Sequence, residues 1–216
     1  MNENNILNKI TIPIAIICVI VFRLFIDIIG WFIGNLNIES LIFNYDLKYL
    51  IFSIAELLGV LLFFFYVDKK IFIPKRTSII YCILAIILAV LYVFSQEWLN
   101  MFYDLVFKTN YSGLINYEFR VPLINKLLLA QVIFGPISEE LFFRNLIQKG
   151  LRENYNPSVV IGITSILFAL IHIPDIHNMY LVFIGGLVAS ILYYKSKSII
   201  PSLIFHMSWN FLVLGF

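Results

Sequence analysis

Charge is what this chain has least of. Only 13% of its 216 residues are Asp, Glu, Lys or Arg, against ~25% in an ordinary soluble domain. The net charge of +2, with no basic block and no aromatic-basic repeat, excludes nucleic acid as a partner. Cysteine is scarce as well. Cys18 and Cys82 sit in separate apolar runs, without CxxC or Cys/His spacing. That excludes a disulfide framework and a zinc finger, and leaves both as small buried hydrophobes. Low-complexity linkers and internal repeats are missing too, so the reading is a single domain, 1–216. Residues Met1 to Lys9 lack the basic, apolar and small-residue succession of a cleaved leader. The first apolar run is also long, and it reads as a retained membrane helix.

What fills the chain instead is hydrocarbon: 61% of residues are hydrophobic, including 21 Phe and 12 Tyr. A water-soluble fold of this size could not hide that much apolar surface, so membrane lipids are the expected surroundings. A spanning helix needs ~20 mostly apolar residues. The expected fold is therefore all-α, a polytopic transmembrane bundle of about seven helices. Candidate spans lie near 11–34, 47–67, 77–95, 121–148, 157–173, 178–194 and 199–216. The longest connection is 96–120, with Glu97, Asp104, Lys108, Glu118 and Arg120, and with Trp98, Phe102 and Tyr103 giving it an interfacial character.

Lys and Arg gather on the cytoplasmic side of short loops. One side receives Lys9, Lys69, Lys70, Lys75, Arg76, Lys149, Arg152, Lys195 and Lys197; the other receives Lys48, Lys108, Arg120 and Lys126. The bias of nine to four predicts a cytoplasmic N-terminus and an external C-terminus. Short loops and small size point to a prokaryotic plasma membrane.

Ionisable groups at membrane depth cost several kcal/mol unless paired or facing a cavity, so each calls for an explanation. Arg23 and Asp27, four apart, can pair on one helix face. Glu56 has no local partner; a neighbouring helix or a cavity would have to supply one. In the fourth span, Phe134-Gly-Pro-Ile-Ser-Glu-Glu-Leu-Phe-Phe-Arg144 sets two carboxylates side by side. Glu140 and Arg144 stand at i,i+4 with the acid first, the favourable order. Glu139 points about 100° away, which leaves it free for chemistry while Arg144 neutralises Glu140. The chain has three histidines. His172 follows Phe168 by one turn, His206 precedes Asn210 by one turn on the same face, and His177 reads as a solvated loop residue.

Hydrolysis of a peptide bond needs a base for water, a donor to the leaving amine and polarisation of the carbonyl. A buried glutamate can act as the base, and His206 with Asn210 can bond an oxyanion. Ser138, Ser165 and Ser208 are the serines in reach, none in an evident Ser-His-acid order. The succession Glu139-Glu140-xxx-Arg144, Phe168-xxx-His172 and His206-xxx-Asn210 resembles the three motifs of the CAAX protease and bacteriocin-processing family of intramembrane peptidases. The family-like catalytic region covers about 121–216. The resemblance implies that Glu139 activates water with His172 nearby and that His206 and Asn210 form the oxyanion hole. It also implies that Glu140 and Arg144, with Phe168, support the site. It implies a peptide or protein substrate, lipidated or bearing a leader. No cofactor is favoured. Zn²⁺ is the alternative, held by Glu139, His172 and His206, although HExxH is absent; Asn210, a poor zinc ligand and a good oxyanion donor, favours the metal-independent mechanism. The family also admits a non-catalytic reading, a bacteriocin self-immunity or regulatory protein that uses the same cavity for binding. One point of geometry needs the fold. At 1.5 Å per residue, Glu139 and His206 come out roughly 10–15 Å from the cytoplasmic end and His172 about 22 Å.

Overall fold

The computed structural model describes residues 10–35, 45–67, 78–109, 129–173 and 178–214. Among them every regular element is a helix, as expected. Helix α1 (Ile12–Gly34) opens with Pro13 in its first turn, where its missing N–H costs nothing. Helix α2 (Tyr45–Val67) packs against it, and α3 (Ile79–Phe107) begins at Ser78, whose hydroxyl accepts from the Ile80 N–H. A broken rod, α4, follows as consecutive segments Leu129–Phe134, Gly135–Glu140, Leu141–Gln148 and Lys149–Leu151. Then come α5 (Pro157–Leu170), capped by the Asn156 side chain, α6 (Met179–Ser196) and α7 (Ile199–Val213), capped by Ser198.

Helices α1, α3 and α6 are long and apolar enough to cross a membrane. On α1 and α3 the large aliphatic side chains turn outward: Ile17, Val21, Ile28, Ile80, Ile87 and Leu91 are all exposed. In water such a surface would be a liability; in lipid it is the solvent-facing side. The protein is an integral membrane protein.

The structure corrects one stretch expected to be a connection. Helix α3 runs on through residues 96–107. Its polar residues looked like the start of a loop, but Asn100 is buried and takes a hydrogen bond from the Tyr180 hydroxyl, while Tyr103 stacks on Tyr180 at 4.6 Å. Tyr92 adds a bond to the Leu181 carbonyl at 2.5 Å. Helix α5 also stops earlier than the expected 157–173, and His172 lies in the turn after it. Glu118, Arg120, Lys126 and His177, like the loop lysines Lys9, Lys69, Lys70 and Lys75 and Arg76, fall outside the described residues.

The α4 rod lies at the centre, with Leu141–Gln148 buried throughout. Two of its segments are wide π-turns, Leu129–Phe134 and Leu141–Gln148. The first has a local cause. Pro136 offers no N–H to the preceding turn and its ring crowds the carbonyl four residues back. A wide turn relieves that clash, and Gly135 fits it because a Cβ there would stand 3.2 Å from the Ala130 carbonyl oxygen. Such insertions re-aim the side chains that follow. Here those are Ser138, Glu139 and Glu140.

Candidate active site

Glu140 and Arg144 form the buried base of the site. Both are fully inaccessible, and the guanidinium holds the carboxylate with two prongs, Nε to Oε2 at 3.0 Å and Nη2 to Oε1 at 3.3 Å. Arg144 then ties in two more helices. Its Nη1 donates to Ser190 Oγ on α6 at 3.1 Å, Ser190 lies 3.2 Å from Ser165 on α5, and the guanidinium carbon sits 5.3 Å over the Phe168 ring. Gln148 adds a bond to the Ser190 carbonyl at 2.9 Å. An isolated charge here would cost many kcal/mol; this network satisfies it.

His206 bridges the two carboxylates of the motif. Its Nδ1 meets Glu140 Oε1 at 3.3 Å and its Nε2 faces Glu139 Oε2 at 3.9 Å. Glu140 is a committed acceptor, so the Nδ1 proton is the one that fits the shorter contact. Glu139 is held differently. Its side chain keeps 19% of its exposure, and its buried Oε2 has no hydrogen-bond partner among the described residues. The two adjacent glutamates thus occupy opposite situations, one saturated and one open, as the helix geometry predicts.

Phe168 joins the histidines. Its ring lies 5.1 Å from that of His172 and 5.6 Å, edge-on, from that of His206. Close approach of α6 at this point depends on paired glycines. A Cβ on Gly186 would meet the Phe168 ring at 3.2 Å, and one on Gly185 would meet the Trp209 ring at 2.6 Å. The helix that leads to His172 starts at Pro157, not later, so a late start does not account for the expected difference in depth. His172 lies in the turn after Leu170, and its Nδ1 comes to 2.9 Å from the Phe168 carbonyl. A carbonyl only accepts, so this nitrogen carries the proton and Nε2 keeps its lone pair in the neutral ring. Asn210 sits one turn beyond His206 and donates from Nδ2 to the Gln131 carbonyl at 2.8 Å, which fastens α7 to the first wide turn of α4. Its second N–H remains for other use.

Sequence reasoning missed two contacts. Arg23 pairs with Asp27 at 2.9 Å as expected, yet it also donates from Nη1 to the carbonyl of Ile171, the residue that closes α5 and precedes His172. A cation at a helix C-terminus is favourable, and the only sequence signal was a charge in an apolar run. Glu56 has found its partner in Ser138, whose Oγ lies 2.7 Å from Glu56 Oε1. Of the other serines, Ser165 donates to the Ile161 carbonyl at 2.8 Å. No group of three or more His, Cys, Asp or Glu side chains among the described residues is gathered to hold a metal ion.

Fold and site together define a class: a helical protein of the membrane with a buried acid-histidine cluster. Residues 122–212 match the family model described as type II CAAX prenyl endopeptidase, Rce1-like. Over this region the chain is similar to the CAAX protease family. That likeness points to a protease, a hydrolase acting on a peptide or protein. No curated protein and no solved structure matches the chain.

Proposed function

We propose that the protein is an intramembrane endopeptidase in which Glu139 activates water without a metal. One observation supports this above all. Glu139 Oε2 is buried, unpartnered among the described residues and 3.9 Å from His206 Nε2, while its neighbour Glu140 is saturated by Arg144. A carboxylate kept open beside a ring nitrogen is suited to a reactant that is itself polar.

In this reading water binds between Glu139 and the Nε2 lone pair of His172. Glu139 takes one water proton as the oxygen bonds to the scissile carbonyl carbon. The carbonyl oxygen becomes an oxyanion and receives N–H bonds from His206 Nε2 and the free N–H of Asn210. For Nε2 to donate while Nδ1 faces Glu140, His206 must be imidazolium, and Glu140 supplies the countercharge. The C–N bond then breaks, and Glu139 returns its proton to the leaving nitrogen. Glu140, Arg144 and Phe168 hold the rings in place.

The substrate in this reading carries a lipid chain or an apolar leader. An apolar groove of about 310 Å³ runs between α1 and α2, lined by Val21, Phe25, Val60 and Phe63, and it ends at Phe142 and Leu146 of the catalytic rod. The contacts of Arg23 and Glu56 with the matched region support one domain over 1–216. The nine-to-four distribution of Lys and Arg supports an N-terminus in the cytoplasm and a C-terminus outside, and the short loops and small size support a prokaryotic plasma membrane.

The test is cleavage of a panel of prenylated and leader-bearing peptides by purified protein, with and without chelator. Wild type should cleave in chelator, and Glu139→Gln should lose roughly a hundredfold or more. Chelator sensitivity reversed by Zn²⁺ would move Glu139, His172 and His206 to metal ligands, and unimpaired Glu139→Gln would remove Glu139 from catalysis. Failure of well-folded wild type on the whole panel would favour the binding or self-immunity role.

A further inference from the structure

Glu56 belongs to α2, outside the matched region, and the mechanism above does not use it. It is a carboxyl group on an apolar helix, only 4% exposed. The proton count around it decides its state. Ser138 Oγ lies 2.7 Å from Glu56 Oε1 and 2.8 Å from the Gly135 carbonyl oxygen. A serine hydroxyl carries one hydrogen. The Gly135 carbonyl can only accept, and an ionised Glu56 can only accept as well. One hydrogen would then have to serve two short contacts.

A second hydrogen on Glu56 removes the conflict. Glu56 donates to Ser138 Oγ, and Ser138 donates to Gly135. Charge argues the same way. The buried cation of the site, Arg144, is committed to Glu140, and the charged group that acts on Glu56 is Glu139, of like sign. An unpaired buried carboxylate facing another is the costlier arrangement.

We infer that Glu56 is a positioning residue of the site, held as a neutral acid whose O–H locks Ser138 and through it the short turn Gly135–Glu140 that carries Glu139. The chain Glu56, Ser138, Gly135 spans that turn from its first residue to the one before Glu139. A neutral donor serves better than an ion here, because it fixes the turn without repelling the catalytic carboxylate. The positioning part of this inference rests on the peptidase reading; the protonation part does not.

The experiment has two arms. Infrared difference spectra of wild type against Glu56→Gln, in detergent at neutral pH, should show loss of a carboxylic acid carbonyl band that shifts in D₂O. Loss of ionised carboxylate bands instead would overturn the assignment. In the second arm, Glu56→Leu should lower kcat roughly ten- to a hundredfold with little change in KM, because a turn that drifts misplaces the base. Glu56→Gln should restore most of that loss, since its amide N–H can donate to Ser138 Oγ. Equal damage by Gln and Leu, or no damage by either, would overturn the positioning role. Should Glu56→Leu fail to fold, Ser138→Ala serves instead: it removes the same link from the α4 side and should give the same kcat loss. An inactive wild type would sink the peptidase reading and the positioning role with it, and the infrared band would still decide the state of Glu56.

Discussion

Replacing Arg144 with Met tests how the buried base is held. The side chain is fully inaccessible and supplies two bonds to Glu140, at 3.0 and 3.3 Å, one to Ser190 at 3.1 Å, and a cation over the Phe168 ring at 5.3 Å. Met fills much of the volume and supplies none of these. Glu140 would keep the 3.3 Å contact from His206 and its hydrogen bond with Ser202, and no cation fork. Breaking one side of a buried ion pair costs ~3–5 kcal/mol, which in a chain of this size lowers Tm by roughly 6–20 °C. The paired variant Glu140→Gln/Arg144→Met removes the stranded charge and should recover part of that loss, because most of the penalty belongs to the unpaired carboxylate. Arg144→Lys should fall between, since an ammonium keeps the charge and loses the fork. Thermal unfolding of the purified protein in detergent reads all of these. An Arg144→Met protein that melts within about 2 °C of wild type, or a double variant less stable than the single one, would refute the reasoning.

Other substitutions address the shell around the site. Gly185→Ala places a Cβ 2.6 Å from the Trp209 ring and should destabilise the α6–α7 contact by about 1–3 kcal/mol, read as a lower melting temperature. Arg23→Met releases the Ile171 carbonyl and should lower kcat several-fold through His172 with KM nearly constant; Arg23→Lys, able to donate to the same carbonyl, should recover part of it. Glu139→Gln should melt like wild type while losing hydrolysis, the reverse of the Arg144 pattern, since its Oε2 makes no hydrogen bond among the described residues.

The parts of this architecture legible in the sequence are those fixed by local geometry. Glu140 with Arg144 and Arg23 with Asp27 are pairs one helical turn apart, and any helix would bring them together. The long apolar runs set the helices for the same reason. Contacts between helices were not legible. Glu56 meets Ser138 across 82 residues and Arg23 meets Ile171 across 148, and each depends on how two rods cross. The end of α3 was not legible because Glu97, Asp104 and Lys108 read as a connection, and the partner that buries Asn100, Tyr180, comes from α6. Of the two wide turns of α4, only the first was signalled, by Gly135-Pro136. How far such a turn rotates the residues after it is a packing question, which sequence spacing does not answer.

The shortness of α5 and α7 bears on how a hydrolase in a membrane obtains water. With 14 and 15 residues, they reach about 21 and 22 Å, against ~30 Å for the hydrocarbon layer. Both carry the site, α5 toward its closing turn and α7 at mid-length. Were both to span, a deficit of about 8 Å would be met by a bilayer that dips locally or by headgroups drawn inward. Either response would bring the aqueous boundary toward His172 and His206. On the proposed peptidase reading, the lipid sheet itself would then be part of the supply route, and its thickness a control on turnover.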